Sequence, residues 1–141
     1  HCLPALPDAT PVRDLWSVLD ESPIAFDGPP SRATYHDPCV LARGAGVTAP
    51  PRRLLAAAGV DVVEPEFHGR DTACAGAGMG LPLLDTPAAD ATASRRAGHL
   101  AATDAPTTVT ACSRAANRLR AVGHDTADLA VLLAARLPET R

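Results

Sequence analysis

Aromatic residues are almost missing from this chain: one Trp, one Tyr and two Phe make up 3% of its 141 positions. Ala, Leu and Val must fill the core instead, and side chains that small let short helices pack closely. At this length, 46% hydrophobic content is enough for one modest core, so a single globular domain is expected. No apolar run approaches the roughly 18 to 20 residues that cross a bilayer, and the first residues carry no secretory pattern. A soluble, cytoplasmic chain with no membrane span is therefore expected. Charge of either sign is not in large excess: 13 basic against 16 acidic residues give a formal charge of −3. That balance offers no basic field to a phosphate backbone, which argues against nucleic acid as a partner. No acid–base pair, and no nucleophile with its base and orienting group, can be assembled from the sequence. His1 stands where Met would start a chain, so we expect a processed or cut chain or a piece of a larger polypeptide.

What the chain does contain is alternating short strands and helices. Residues 1–10 read as an extended lead-in, after which Pro11 opens a helix over 12–19 with Val12, Leu15, Trp16 and Leu19 on one face. Gly28-Pro29-Pro30 breaks the chain before a strand over 32–36, whose end delivers Asp37, Pro38 and Cys39 into a loop. Pro50 and Pro51 suit the first turn of a helix to Ala58, Gly59 suits its C-terminal cap, and a strand over 60–63 follows. The stretch 64–80, rich in Gly and polar residues, reads as a long loop carrying Cys74. Residues 83–102 are helical in propensity, with Pro87 implying a late start near Ala88 or a broken first turn. The β-branched run 107–110 predicts a strand leading into Cys112 and a helix over 113–121. Thr126 is placed to cap a final helix to Leu137, with Leu129, Leu132 and Leu133 inward. Such βα units predict an α/β fold: a small parallel sheet flanked by helices. Cys39, Cys74 and Cys112 then fall in loops at the C-terminal ends of strands, where open α/β sheets tend to bind ligands. Residues 1–32 form a lead-in and helix, and 33–141 the body of the same globular unit.

Gly76, Gly78 and Gly80 alternate in a run that superficially resembles a nucleotide loop. The third glycine comes one position too early for G-x-G-x-x-G, and no Lys-Ser/Thr follows. Close approach of the backbone to an inorganic cluster, with N–H groups free to bond sulfide, accounts better for Gly76 and Gly78. Each cysteine also has a plainer reading, because a free thiol packs like a small hydrophobe, and Cys112 behind a strand suits a core position. His36 reads as a residue that fixes the turn into Cys39 and tunes a nearby thiolate. Asp37 is suited to accept loop N–H groups. His99 reads as a helix-face residue and His124 as a turn residue. Disulfides are disfavoured without a secretory signal.

Several of these segments together resemble one family. They are Tyr35-His36-Asp37-Pro38-Cys39; Pro51-Arg52 through Leu54-Leu55 to Gly59; Val62-Val63-Glu64; Cys74-Ala75-Gly76-Ala77-Gly78; Thr107 to Cys112; and the His124 to Leu133 tail. The spacing agrees as well, with 34 residues between Cys39 and Cys74 and 35 between Gly76 and Cys112. Over residues 33–137 the chain resembles the cysteine-rich CCG domain, found twice in the B subunit of heterodisulfide reductase. It also occurs in iron–sulfur subunits of glycolate, lactate and glycerol-3-phosphate oxidising systems. The resemblance implies an iron–sulfur, electron-transfer domain of a flavin-linked oxidoreductase, with Cys39, Cys74 and Cys112 as ligands. FAD would sit on a partner or another domain, and a second CCG domain is a further expected partner. Two positions depart from the family: Ala75 and Ala115 stand where it has cysteines, so its five-cysteine non-cubane cluster is not expected. Three thiolates leave open a cubane 4Fe-4S cluster whose fourth ligand is His36, His68, Cys2 or a small molecule. They also leave open a Zn²⁺ site, or a scaffold without metal that docks a partner.

Overall fold

The computed structural model describes residues 12–138. The expected lead-in over 1–10, Pro11 and Cys2 lie outside them. Helix α1 (Leu15–Asp20) starts later than the apolar spacing predicted, because the Asp14 carboxylate accepts the Ser17 N–H at 2.9 Å and fixes the start there. Of the expected face, Trp16 is buried and Leu19 packs beside it, whereas Val12 and Leu15 stay exposed. Strand β1 (Ser31–His36) follows, then a single π-type turn at Val40–Gly44, helix α2 (Ala49–Ala57) and strand β2 (Val60–Val63). Both prolines lie in the first turn of α2, and Gly59 closes the helix at φ +74°.

The long loop after β2 contains one 3-10 turn, Gly69–Asp71, and ends in the short helix α3 (Leu81–Leu84). Helix α4 (Thr86–Ala101) begins anew after a break at Asp85, whose side chain accepts the Ala88 N–H at 2.9 Å with Pro87 in the first turn. A broken start thus reconciles Pro87 with the helical propensity around it. Strand β3 (Thr108–Thr110) leads into α5 (Ser113–Ala121). Thr126 does not cap the last helix. It opens a fourth strand, β4 (Thr126–Asp128), and the cap moves to Asp128, whose carboxylate accepts the Ala130 N–H at 2.9 Å. Helix α6 (Leu129–Ala134) therefore starts three residues later than Thr126 and stops short of Leu137.

All four strands are parallel, in the order β2-β1-β3-β4. The chain winds from β1 out to β2, then returns across β1 to place β3 on its other side, so the winding reverses between β1 and β3. Ligands favour the carboxyl ends of strands at such a reversal. Side chains alternate along β1. Ala33 and Tyr35 enter the larger core with Trp16, Leu55, Val109 and Leu129, beneath α1, α2 and α6. Thr34 and His36 face the opposite layer, where Ala75, Leu100, Ala115 and Leu119 form a second core under α4 and α5. Because Trp16 belongs to the larger core, α1 and the sheet form one packed unit. No helix among the described residues is long and apolar enough to cross a membrane.

Candidate metal centre

The sheet reversal brings two of the cysteines together. Cys39 follows β1 and opens the π-type turn, held by the Ala42 N–H donating to the Pro38 carbonyl at 2.9 Å. Cys112 follows β3 and sits at the N-cap of α5. With His36 in register with Thr110, both chains leave the sheet at the same end. Cys74 arrives there from the long loop after β2. All three thiols are free and half-buried, and they line one cavity of about 100 Å³. Ala75 and Ala115 line it too, almost fully buried at 3% and 4% exposure.

The Cys74 sulfur is prepared to carry negative charge. A hydrogen bond from the Cys39 thiol, joined by the backbone N–H groups of Gly76, Ala77 and Gly78, pulls Cys74 down to about 5 against the opposing effect of burial. Cys39 moves the other way: bonding to Cys74 and burial push its thiol up, although Arg43 partly offsets this. The two titrate as a pair in which Cys39 keeps the proton. The backbone turn that aims these N–H groups depends on Gly76. It has φ +71°, and a Cβ there would lie 2.5 Å from the Ala89 carbonyl oxygen of α4. Close approach is thus real at Gly76, but the neighbour is a helix; at Gly78 a Cβ would meet nothing within 4 Å.

Asp37 ties the cysteine loops to each other. It is 1% exposed and accepts both Arg52 Nη groups at 2.8 Å and the Gly69 N–H at 2.7 Å, while its carbonyl accepts the Thr72 hydroxyl at 2.9 Å. Arg52 reaches on to both Glu64 carboxylate oxygens at 2.6 and 2.8 Å and lies 5.2 Å from the Tyr35 ring centre. One guanidinium therefore holds α2, the end of β1 and the chain after β2, two residues from Cys39, and the Thr72 bond anchors the chain two residues from Cys74. The role of Arg52 is hidden in the sequence, because its partners are 15 and 12 residues away.

His36 lines the cavity and is 2% exposed. Its Nδ1 accepts the Arg96 Nε–H at 3.1 Å, so the ring proton sits on Nε2. Burial, helped by the Arg96 charge, lowers His36 to about 3, and the ring is neutral. Arg96 is itself 1% exposed; its Nη1 donates to the Glu66 carbonyl at 2.9 Å, and its Nη2 has no partner. Burial lowers Arg96 to about 10, which leaves it charged at neutral pH. The sequence signal for Arg96 was a charge on the buried stripe Ala89, Ala93, Arg96, Leu100. The other described histidines, His68, His99 and His124, are not among the residues lining the cavity. His68 is engaged with the Pro65 carbonyl at 3.0 Å, His99 lies tilted against Phe67 with centroids 5.1 Å apart, and His124 Nε2 meets the Thr108 hydroxyl at 2.8 Å. Cys2 lies outside the described residues.

A profile of the cysteine-rich domain family CCG matches residues 33–120. The chain belongs to this family. Among relatives of the CCG domain, a probable membrane-anchored ferredoxin of Chromohalobacter salexigens is 34% identical over 120 residues, 80% of this chain and 18% of that one. An uncharacterized iron–sulfur protein of Methanococcus maripaludis is 38% identical over 106 residues, covering 74% and 20%. The fumarate reductase (CoM/CoB) B subunit of Methanothermobacter marburgensis is 34% identical over 82 residues, covering 57% and 16%. The chain thus spans a fifth or less of the length of these relatives.

Three thiols on one cavity are a donor set that fits an iron–sulfur cluster. Among the described residues no group of three or more His, Cys, Asp or Glu side chains is arranged to hold one metal ion. A cluster distributes its irons over separate corners, so thiolates that share a cavity without converging can each hold one. The backbone N–H groups that lower Cys74 suit an anionic occupant of this cavity.

Proposed function

We propose that this domain binds an iron–sulfur cluster through Cys39, Cys74 and Cys112 and serves as an electron-transfer domain of a larger oxidoreductase. The observation that carries the reading is the meeting of three cysteines, from three separate loops, around one cavity. Relatives whose names include a ferredoxin, an iron–sulfur protein and an EtfAB:quinone oxidoreductase support it. When bound, such a cluster supplies one-electron transfer at a potential set by its ligands, hydrogen bonds and burial. The chain's own residues then divide the work. Asp37 and Arg52 hold the two loops, Gly76 shapes the nest over Cys74, and the walls of Ala75, Ala115 and Pro38 keep the site largely apolar. In this reading the substrate chemistry falls to a flavin-containing partner or another domain.

In its finer form the reading is a cubane 4Fe-4S cluster with a non-cysteine fourth ligand, served by an FAD-containing partner or domain that oxidises a 2-hydroxy acid or glycerol 3-phosphate. The cytoplasm is the matching compartment, since three free thiols persist where the milieu is reducing. A scaffold without metal is the second reading, favoured by the two alanine methyls on the cavity wall. Iron, acid-labile sulfide and zinc per chain, measured after anaerobic purification and reconstitution together with the visible spectrum, separate the two. Stoichiometric iron and sulfide with absorbance near 400 nm are expected, and Cys39→Ser, Cys74→Ser and Cys112→Ser should each remove most of the iron. A colourless wild-type chain that takes up neither element leaves the scaffold reading standing.

A further inference from the structure

We propose that Arg96 is a built-in counter-charge for an anionic group in the cysteine cavity, and that it positions His36 as an N–H donor to that group. The inference rests on the cluster reading above but concerns residues that reading does not use. Arg96 projects from the buried stripe of α4, where Leu100 and two alanines complete the same face. An apolar side chain there would close the core without electrostatic cost. Instead a guanidinium is buried with no carboxylate among the described residues at ion-pair distance. Asp37, the acidic group whose charge acts on it, is already bonded through both oxygens to Arg52. An unpaired buried charge is strongly unfavourable unless something of opposite sign lies close.

The hydrogen bonds of Arg96 point to where that charge belongs. Nε is spent on His36 Nδ1 and Nη1 on the Glu66 carbonyl, while Nη2 is buried without a partner. Since Nδ1 of His36 accepts, Nε2–H is the only polar hydrogen the ring can offer to the cavity it lines. Arg96 therefore acts on the cavity both through its field and through the ring it orients. A cluster on three thiolates carries net negative charge, and reduction makes it more negative. A nearby fixed cation favours both binding and the reduced form.

The test compares the full chain with Arg96→Met and Arg96→Lys, each reconstituted anaerobically with iron and sulfide. Midpoint potential is read by redox titration, and Tm is measured with and without cluster. Removing the charge should shift the potential downward and shrink the rise in Tm that loading produces, and the lysine variant should restore both toward wild type. Circular dichroism confirms that each chain folds; if the methionine variant does not, Arg96→Gln, which keeps an N–H donor, carries the comparison. Potentials and loading shifts equal to wild type in the neutral variant would overturn the counter-charge, as would a lysine variant indistinguishable from the neutral one. A wild-type chain that binds no cluster overturns the functional reading itself, and the counter-charge with it. That failure appears in the parent chain, whereas failure of the counter-charge alone appears only in loaded variants.

Discussion

Two glycines that look alike in the sequence differ sharply at the residue scale. Gly76 has φ +71° and packs against α4 so closely that a methyl would strike the Ala89 carbonyl oxygen, whereas Gly78 faces open space. Gly76→Ala should therefore cost about 2 kcal/mol or more in urea unfolding, and Gly78→Ala should stay within about 0.5 kcal/mol. Equal effects would mean that the turn, not the contact with α4, sets the requirement. His36 makes a second residue-scale prediction. Its folded value, about 3, lies below the ordinary 6.5 because of burial and the Arg96 charge. An unfolded chain takes up a proton that the folded ring refuses. Stability from this group is thus complete above about pH 6.5 and is lost as pH falls toward 3. Between about pH 6.5 and 5, where most carboxylates remain ionised, the cluster-free chain should lose up to about 1.4 kcal/mol per pH unit from His36 alone. His36→Gln, which can still accept from Arg96, should flatten that slope in urea titrations.

At the element scale the Asp37, Arg52 and Glu64 group acts as a joint between β1, α2 and the end of β2. Its two arms differ in exposure: the Asp37 side chain is 1% exposed and that of Glu64 34%. Arg52→Met strands the buried carboxylate and should cost about 3–5 kcal/mol, whereas Glu64→Gln should cost under about 1 kcal/mol. Chemical unfolding of both variants checks the ratio; similar losses would show that the buried arm has no special weight. The elements themselves were largely legible. β1, α2, β2, β3 and α5 follow from the Gly28-Pro29-Pro30 break, the prolines at the start of α2, Gly59 and the β-branched run 107–110. Two ends were not. The start of α1 depends on one Asp14 hydrogen bond. The strand Thr126–Asp128 carries no hydrophobic alternation, and its conformation comes from pairing with β3.

At the scale of the whole molecule, the winding reversal between β1 and β3 gathers residues from positions 36 to 115 around one cavity. Ala75 and Ala115 occupy that wall, so Ala75→Cys combined with Ala115→Cys should add sulfurs where the family resemblance places them. Iron and sulfide per chain after reconstitution should then exceed the wild-type values. Unchanged content would mean that the wall at those positions does not face bound metal. The grouping of the three cysteines around one cavity was foreshadowed in the sequence because they lie among glycines and prolines, off any apolar face. His68 could not be sorted from His36 in the same way: both stand near a cysteine in the chain, but only His36 ends a central strand.

By itself the sequence determined the α/β class and the parallel sheet, because these depend on local propensity, turn residues and the alternation of short elements, and its cysteine and glycine motifs carried the resemblance to the family. Only the tertiary structure decided that Gly76 answers to α4, that Asp37 is held by Arg52, and that Arg96 stands behind His36 without an ion-pair partner. Those are contacts between residues 13 to 60 positions apart. Their strength comes from burial and mutual orientation, which do not exist until the layers have packed.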